Sequence, residues 1–230
     1  MAIVFYELCA GDTERRFSPA CWKVRMALAH KGLDFEARAT PYAASKTIGD
    51  GFSPTVPVID DGGRLIRESF DIALHLEDTY PDRPSLFGGA GGKAMARFID
   101  GWSASMIART ALPMVIKDVH DRLSPEDQIY FRASREKRFG RTLEDLQADR
   151  EERVVAWRAA WEPLRVMLAH QPVFGGEGPL YADYSPFAAL QWTRVMSPFR
   201  LLERDDPVTE WFERCLDLHG GMARAMAAAA

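Results

Sequence analysis

Cysteine is scarce in this chain of 230 residues: Cys9, Cys21 and Cys215 are an odd number at wide spacing. That excludes a disulfide framework and offers no metal-ligand motif. A reducing cytoplasm is the expected setting. A basic surplus is also missing. With 29 Lys and Arg against 33 Asp and Glu, the net charge of −4 points away from nucleic acid, and no acidic block reads as a disordered tail. The five histidines are scattered without ligand spacing, so no metal is expected. No apolar run is long enough to span a bilayer. The opening MAIVFYELCAGD lacks the basic region and long apolar core of a signal peptide. No convincing strand follows residue 92, and no internal repeat is visible.

What is present is ordinary material for a folded core: 47% hydrophobic and 27% charged residues, in a chain long enough for one large or two small domains. Residues 1–80 alternate short apolar runs with helical segments. The pattern predicts a strand at 3–8, a helix at 18–31, a strand at 34–38, an irregular stretch at 40–55, strands at 56–60 and 64–68, and a helix at 69–79. A helix of crossover length favours parallel pairing of the first two strands. Asp60-Asp61-Gly62-Gly63 reads as a tight hairpin. Residues 81–92, PDRPSLFGGAGG, read as a linker. Beyond them, 93–119, 125–139, 142–171, 183–197 and 206–220 all read as helices. In the third, Val154, Trp157, Trp161, Leu164 and Leu168 form one stripe, which Pro163 should bend. Arg132, Arg135, Arg138 and Arg141 share helical spacing and read as a solvated face.

Four places could carry chemistry. In FSPACWKVRMAL, Ser18 is a preferred N-cap and Pro19 suits the first helical position. Such a helix start either is merely capped or holds an anion on its free N–H groups. Val56-Pro57 heads a strand, which means an edge, a bulge or a cis peptide; base rates favour trans. Glu68-Ser69 opens a helix, with Ser69 as its N-cap, and is either a plain cap or a carboxylate site with Glu68 beside it for an ammonium group. Cys21 lies in a first helical turn, where a thiolate would be favoured, but it also belongs to the apolar stripe with Val24 and Leu28 and reads as packing.

Taken in order, these features resemble the cytosolic glutathione transferases: an α/β thioredoxin-like N-terminal domain (βαβ-ββα, residues 1–80), a linker (81–92) and an all-α helical C-terminal domain (93–230). The matching pieces are Ser18-Pro19, Val56-Pro57, Glu68-Ser69 and the helix start Tyr181-Ala-Asp183. Stretches such as SPACWKVRMALAHKG, YFRASREKRFGRTLEDLQADRE and LYADYSPFAALQW are similar to the bacterial etherase-type members that cleave β-aryl ethers.

The resemblance implies a glutathione S-transferase in which the Ser18 hydroxyl stabilises the glutathione thiolate for attack on an electrophilic carbon of an aromatic substrate. It implies that Glu68 and Ser69 hold the γ-glutamyl end, that the Val56-Pro57 peptide is cis, and that the Val56 backbone pairs with the cysteinyl unit. Thr55 stands where many relatives carry lysine, leaving Lys46 either as the cation for the glycyl carboxylate or as a solvated lysine. Leu180 replaces the usual capping-box residue, so Asp183 is left to cap its helix alone. The second substrate would lie against the helix of 93–119, where Trp102, Met106 and Arg109 fall at i, i+4 and i+7. They read as core and a surface ion pair, or as a pocket walled also by Phe17, itself otherwise a hydrophobic staple. The rival readings are a non-catalytic glutathione or hydrophobe binder and a glutathione-dependent disulfide reductase using Cys21. A homodimer is expected from the resemblance.

Overall fold

The computed structural model describes residues 2–230. A four-stranded sheet forms the N-terminal part, from β1 (Ile3–Leu8), β2 (Phe35–Thr40), β3 (Val58–Asp61) and β4 (Arg64–Arg67), in the order β2-β1-β3-β4. The crossover helix α1 (Pro19–His30) makes β1 and β2 parallel, while β3 runs antiparallel to both β1 and β4. The hairpin turns on Gly62 and Gly63, whose φ values of 62° and 94° suit a residue without a Cβ, and Asp60 Oδ1 accepts the Gly63 N–H at 2.8 Å. β3 starts at Val58 rather than 56, since Pro57 has no N–H for a ladder. Helix α2 (Ser69–Thr79) follows β4.

The remainder is helical: α3 (Ala90–Trp102), α4 (Arg109–Asp121), α5 (Pro125–Phe139), α6 (Leu143–Gln147), α7 (Arg150–Ala159), α8 (Glu162–Leu168), α9 (Tyr181–Met196), α10 (Pro207–Leu216) and α11 (Leu218–Ala225). Three expected single helices are divided. Between α3 and α4 the chain winds as a wider π turn over Ser103–Ala108. The span 142–171 is three helices, not one. Asp149 interrupts it with ψ 26°, and Pro163 cannot donate to the carbonyl of Ala159, so the helix restarts after Ala160-Trp161. The expected 206–220 helix ends at Leu216, and the linker is shorter than read, because α3 begins at Ala90. α5 keeps its expected bounds, since Ser124 caps it, Pro125 follows, and Gly140 ends it at φ 67°.

Helix α9 is the spine: all of its residues but Arg194 are buried. It packs on α1 and joins the two parts of the molecule. Asp100 on α3 accepts from Lys23 Nζ at 2.8 Å and Ser185 Oγ at 2.7 Å. A second bridge runs from the Ser85 carbonyl through His30 and Tyr184 to His219, with His30 Nδ1 2.6 Å and His219 Nε2 2.9 Å from the tyrosine hydroxyl. Burial pushes both histidines below their ordinary value, His219 to about 4.

Asp183 does more than cap. Its carboxylate accepts from Leu180 N at 2.9 Å, Phe174 N at 3.1 Å and Trp211 Nε1 at 3.3 Å. It therefore ties the α9 start to the preceding loop and to α10. Burial pushes it up to about 6 against the pull of these donors.

Candidate active site at the ends of β1 and β4

The sheet register decides which loops meet. Tyr6 pairs with Val58 and Val58 with Arg67, so the end of β1, the beginning of β3 and the end of β4 share one edge of the sheet. Leu8 pairs with Thr40, which brings the loop carrying Lys46 to the same edge. Ser18, Val56-Pro57 and Glu68-Ser69 are 51 residues apart in sequence at their extremes but belong to one rim, where both α1 and α2 present their N-termini.

Ser18 caps α1, its Oγ accepting from Cys21 N at 3.4 Å, and is 8% exposed. A hydroxyl carries one donor and two lone pairs. The cap uses one lone pair and leaves the O–H proton outside the cap bond. Ser18 can therefore donate to an anion at the positive end of the helix dipole.

The Val56-Pro57 peptide is cis. Neither the N–H nor the C=O of Val56 has a partner among the described residues, so both remain for an extended ligand. At α2 the expectation is corrected. Ser69 is the first helical residue, and Glu68 stands at the cap with no side-chain bond to the helix. Glu68 has φ 65°, a conformation costing about 1–3 kcal/mol in a residue with a Cβ. Its side chain is exposed while Ser69 is buried, which leaves the first N–H groups of α2 without a capping side chain. Lys46 sits exposed in the 3-10 segment Ser45–Gly51 and forms no ion pair among the described residues.

A cleft of about 370 Å³ opens beside Ser18 and Pro19. Phe17, Tyr42, Phe131 and Trp192 supply its aromatic wall, and Arg109 lies in it. Trp102 and Met106 do not line it. Trp102 packs edge-on against Trp161 at 5.8 Å, and Met106, 49% exposed, lines an outer groove with Phe139 and Trp157. The i, i+4, i+7 reading assumes an unbroken α-helix; the π turn over Ser103–Ala108 widens the winding there, and Arg109 borders both the cleft and the outer groove that it shares with Met106. The solvated-face reading of the arginine run also needs correction. Arg132 pairs with Glu136 and Glu144, and Arg141 donates to the Asp145 carbonyl, but Arg135 and Arg138 line the cleft. The three-residue spacing was visible; which face of α5 turns inward was not.

Cys21 is 1% exposed, its sulfur accepts from Leu8 N at 3.5 Å, and burial pushes its thiol up to about 12. Cys9 and Cys215 are buried and likewise raised. None of the three has the exposed, cation-flanked setting of a reactive thiol.

Comparison with known proteins agrees with this fold. Residues 13–84 match the glutathione S-transferase N-terminal domain, and residues 94–218 match the glutathione S-transferase C-terminal domain. The chain is 26% identical to the glutathione S-transferase-like protein ustS of Aspergillus flavus over 79% of its own length and 75% of that protein. It is 30% identical to a zeta-class glutathione S-transferase of Euphorbia esula over 49% of its length and 53% of the relative. Among solved structures, a glutathione S-transferase of Ceriporiopsis subvermispora in complex with glutathione superposes with a TM-score of 0.77 at 25% identity, covering 98% of this chain and 95% of the other. A glutathione transferase from Phanerochaete chrysosporium gives 0.76 at 28% identity, covering 98% and 94%. With both domain profiles matched along a thioredoxin-like sheet and a helical second half, the chain belongs to the glutathione S-transferase family.

Proposed function

We propose that this protein is a glutathione transferase in which Ser18 holds the glutathione sulfur as a thiolate for attack on an electrophilic carbon of an aromatic substrate in the adjoining cleft. The observation that carries the reading is the Ser18 hydroxyl at the α1 N-terminus, lining a 370 Å³ cleft with four aromatic walls. A thiol of pKa ~8.5 is only a few per cent ionised at neutral pH. A hydroxyl hydrogen bond and a helix N-terminus both favour the anion, so no protein base is needed. In this reading the Val56 backbone pairs with the cysteinyl unit, the α2 start with Glu68 and Ser69 holds the γ-glutamyl end, and Lys46 is the candidate for the glycyl carboxylate. The likeness of several stretches to etherase-type members makes a β-aryl ether, with a phenolate leaving, the preferred subclass.

A disulfide reductase using Cys21 is disfavoured by that residue's burial. A cytoplasmic homodimer belongs to the same proposal. Met95 and Phe98 stand 52% and 69% exposed on α3, beside a groove lined by Phe70, Phe87 and Arg97, a surface suited to a second copy.

The test is calorimetric titration of reduced glutathione, with ultraviolet difference absorbance for the thiolate near neutral pH. Binding with a thiolate band supports transfer chemistry. Binding without the band, and without turnover of halide and ether electrophiles, would make the protein a carrier. No binding at millimolar glutathione would overturn the reading.

A further inference from the structure

Three arginines and no carboxylate residue line the cleft beside Ser18: Arg109 from α4 and Arg138 from α5 are exposed at its mouth, Arg109 bordering the outer groove as well, and Arg135 from α5 is partly buried. This is a local excess in a chain whose acidic residues outnumber its basic ones, 33 to 29. No carboxylate lies within ion-pair distance of any of the three among the described residues, whereas Arg132, on the same helix, is held by Glu136 and Glu144. Asp127, on the same helix, is engaged by backbone donors, accepting from Tyr42 N and Ala43 N at 3.0 Å.

The arginines are steadied by groups that leave their charge unanswered. Arg135 lies 4.7 Å over the Phe131 ring and donates from Nη1 to Ser134 Oγ at 2.8 Å, and its Nε is buried with no acceptor. Arg138 lies 5.2 Å over Phe139. A buried donor of a charged group without an acceptor is costly, and like charges gathered in one cleft repel. Both costs vanish when an anion enters, and the planar fork of arginine suits a carboxylate. The four aromatic walls suit an aryl group beside that carboxylate.

We infer that the second substrate is an anion: a compact aromatic electrophile bearing a carboxylate, gripped by Arg109, Arg135 and Arg138. This rests on the thiolate-transfer reading for turnover, but not for binding.

The probe pair is 4-chloro-3-nitrobenzoate and its methyl ester. In each, the glutathione sulfur forms a C–S bond at the chlorine-bearing carbon, the C–Cl bond breaks, and chloride leaves with the electron pair. The thiol proton goes to solvent. The ratio of kcat/KM for acid over ester, corrected for the reaction of each with free glutathione, should exceed about tenfold. It should fall about tenfold in Arg135→Gln and in Arg138→Gln, with Arg135→Lys between. Binding of 4-methyl-3-nitrobenzoate, which has no leaving group, is measured calorimetrically on glutathione-saturated protein and should weaken by a similar factor in the same variants. A corrected ratio near one, or a ratio unchanged in the variants, overturns the inference. So does a loss of glutathione affinity with the ratio fixed, because the arginines would then hold the glycyl carboxylate. If the methyl compound binds with the expected arginine dependence but neither chloro compound turns over, the anion site stands and the transfer reading fails.

Discussion

Replacing Ser18 by alanine removes one hydroxyl whose two duties can be separated. The first is the hydrogen bond to the thiolate. A bond to a charged acceptor contributes about 1.5–3 kcal/mol, equivalent to about 1–2 pKa units. Ser18 is only 8% exposed, so bulk water is poorly placed to replace the lost donor. The apparent pKa of kcat/KM for conjugation should therefore rise by about 1–2 units in Ser18→Ala, toward the ~8.5 of the free thiol. The rate at pH 6.5 should drop between roughly tenfold and a hundredfold, while the two proteins converge above pH 9. The second duty is the helix cap. At 3.4 Å the bond from Cys21 N is long, so the stability loss belongs near the low end of the cap range, about 0.5–1 kcal/mol. That corresponds to a fall in Tm of a few degrees for a chain of this size. The assay is a pH–rate profile with a halide electrophile, beside a thermal melt. Ser18→Thr, which keeps a hydroxyl, should hold the wild-type profile. A profile whose plateau falls while its pKa stays fixed would refute the reasoning, because only the fold would have suffered.

Further expectations concern the frame that carries the site. Asp183→Ala leaves the N–H groups of Leu180, Phe174 and Trp211 without their acceptor, and should cost about 3–5 kcal/mol in denaturant unfolding; a loss below 1 kcal/mol would mean that water replaces the carboxylate freely. His219 has a depressed folded pKa, so its contribution is complete above about pH 6.5 and is lost as pH falls toward about 4. With solvent screening discounted, wild type should lose on the order of 1–2 kcal/mol over that window that His219→Gln does not lose, read as the difference between the two unfolding curves. Asp183 acts in the opposite sense, since its raised pKa gives stability that is complete below about 3.8 and lost as pH rises through about 6; only the variant-minus-wild-type difference isolates the histidine. Cys21→Ala should leave the thiolate pKa unmoved and cost stability through the cavity and the lost acceptor of Leu8 N; a loss of turnover with the pH profile shifted would restore the reductase reading. Phe98→Asp should shift the mass measured by light scattering from two copies to one, and an unchanged mass would remove the α3 face from the dimer proposal.

What the amino-acid order determined by itself is local. Ser18-Pro19 and Ser124-Pro125 begin helices, Gly140 ends one, and Gly62-Gly63 closes a hairpin, because caps and tight turns are settled by groups within about four residues of one another. The order of those elements carried the resemblance that implied a shared site for Ser18, Val56 and the α2 start; the sheet register is what sets them on one rim. Tertiary structure decided the rest. The α2 cap passed from Ser69 to Glu68 because the chain leaving β4 must turn through a positive φ to meet α2. At the π turn before α4, Met106 faces only the outer groove while Arg109 borders both that groove and the cleft, which a regular periodicity cannot foresee. Arg135 and Arg138 became cleft residues through the packing of α5 beside Tyr42, where Phe131 and Tyr42 stack 6.1 Å apart. Spacing along a helix states which side chains share a face; only the neighbour that the face meets decides whether they are solvated or gathered around a ligand.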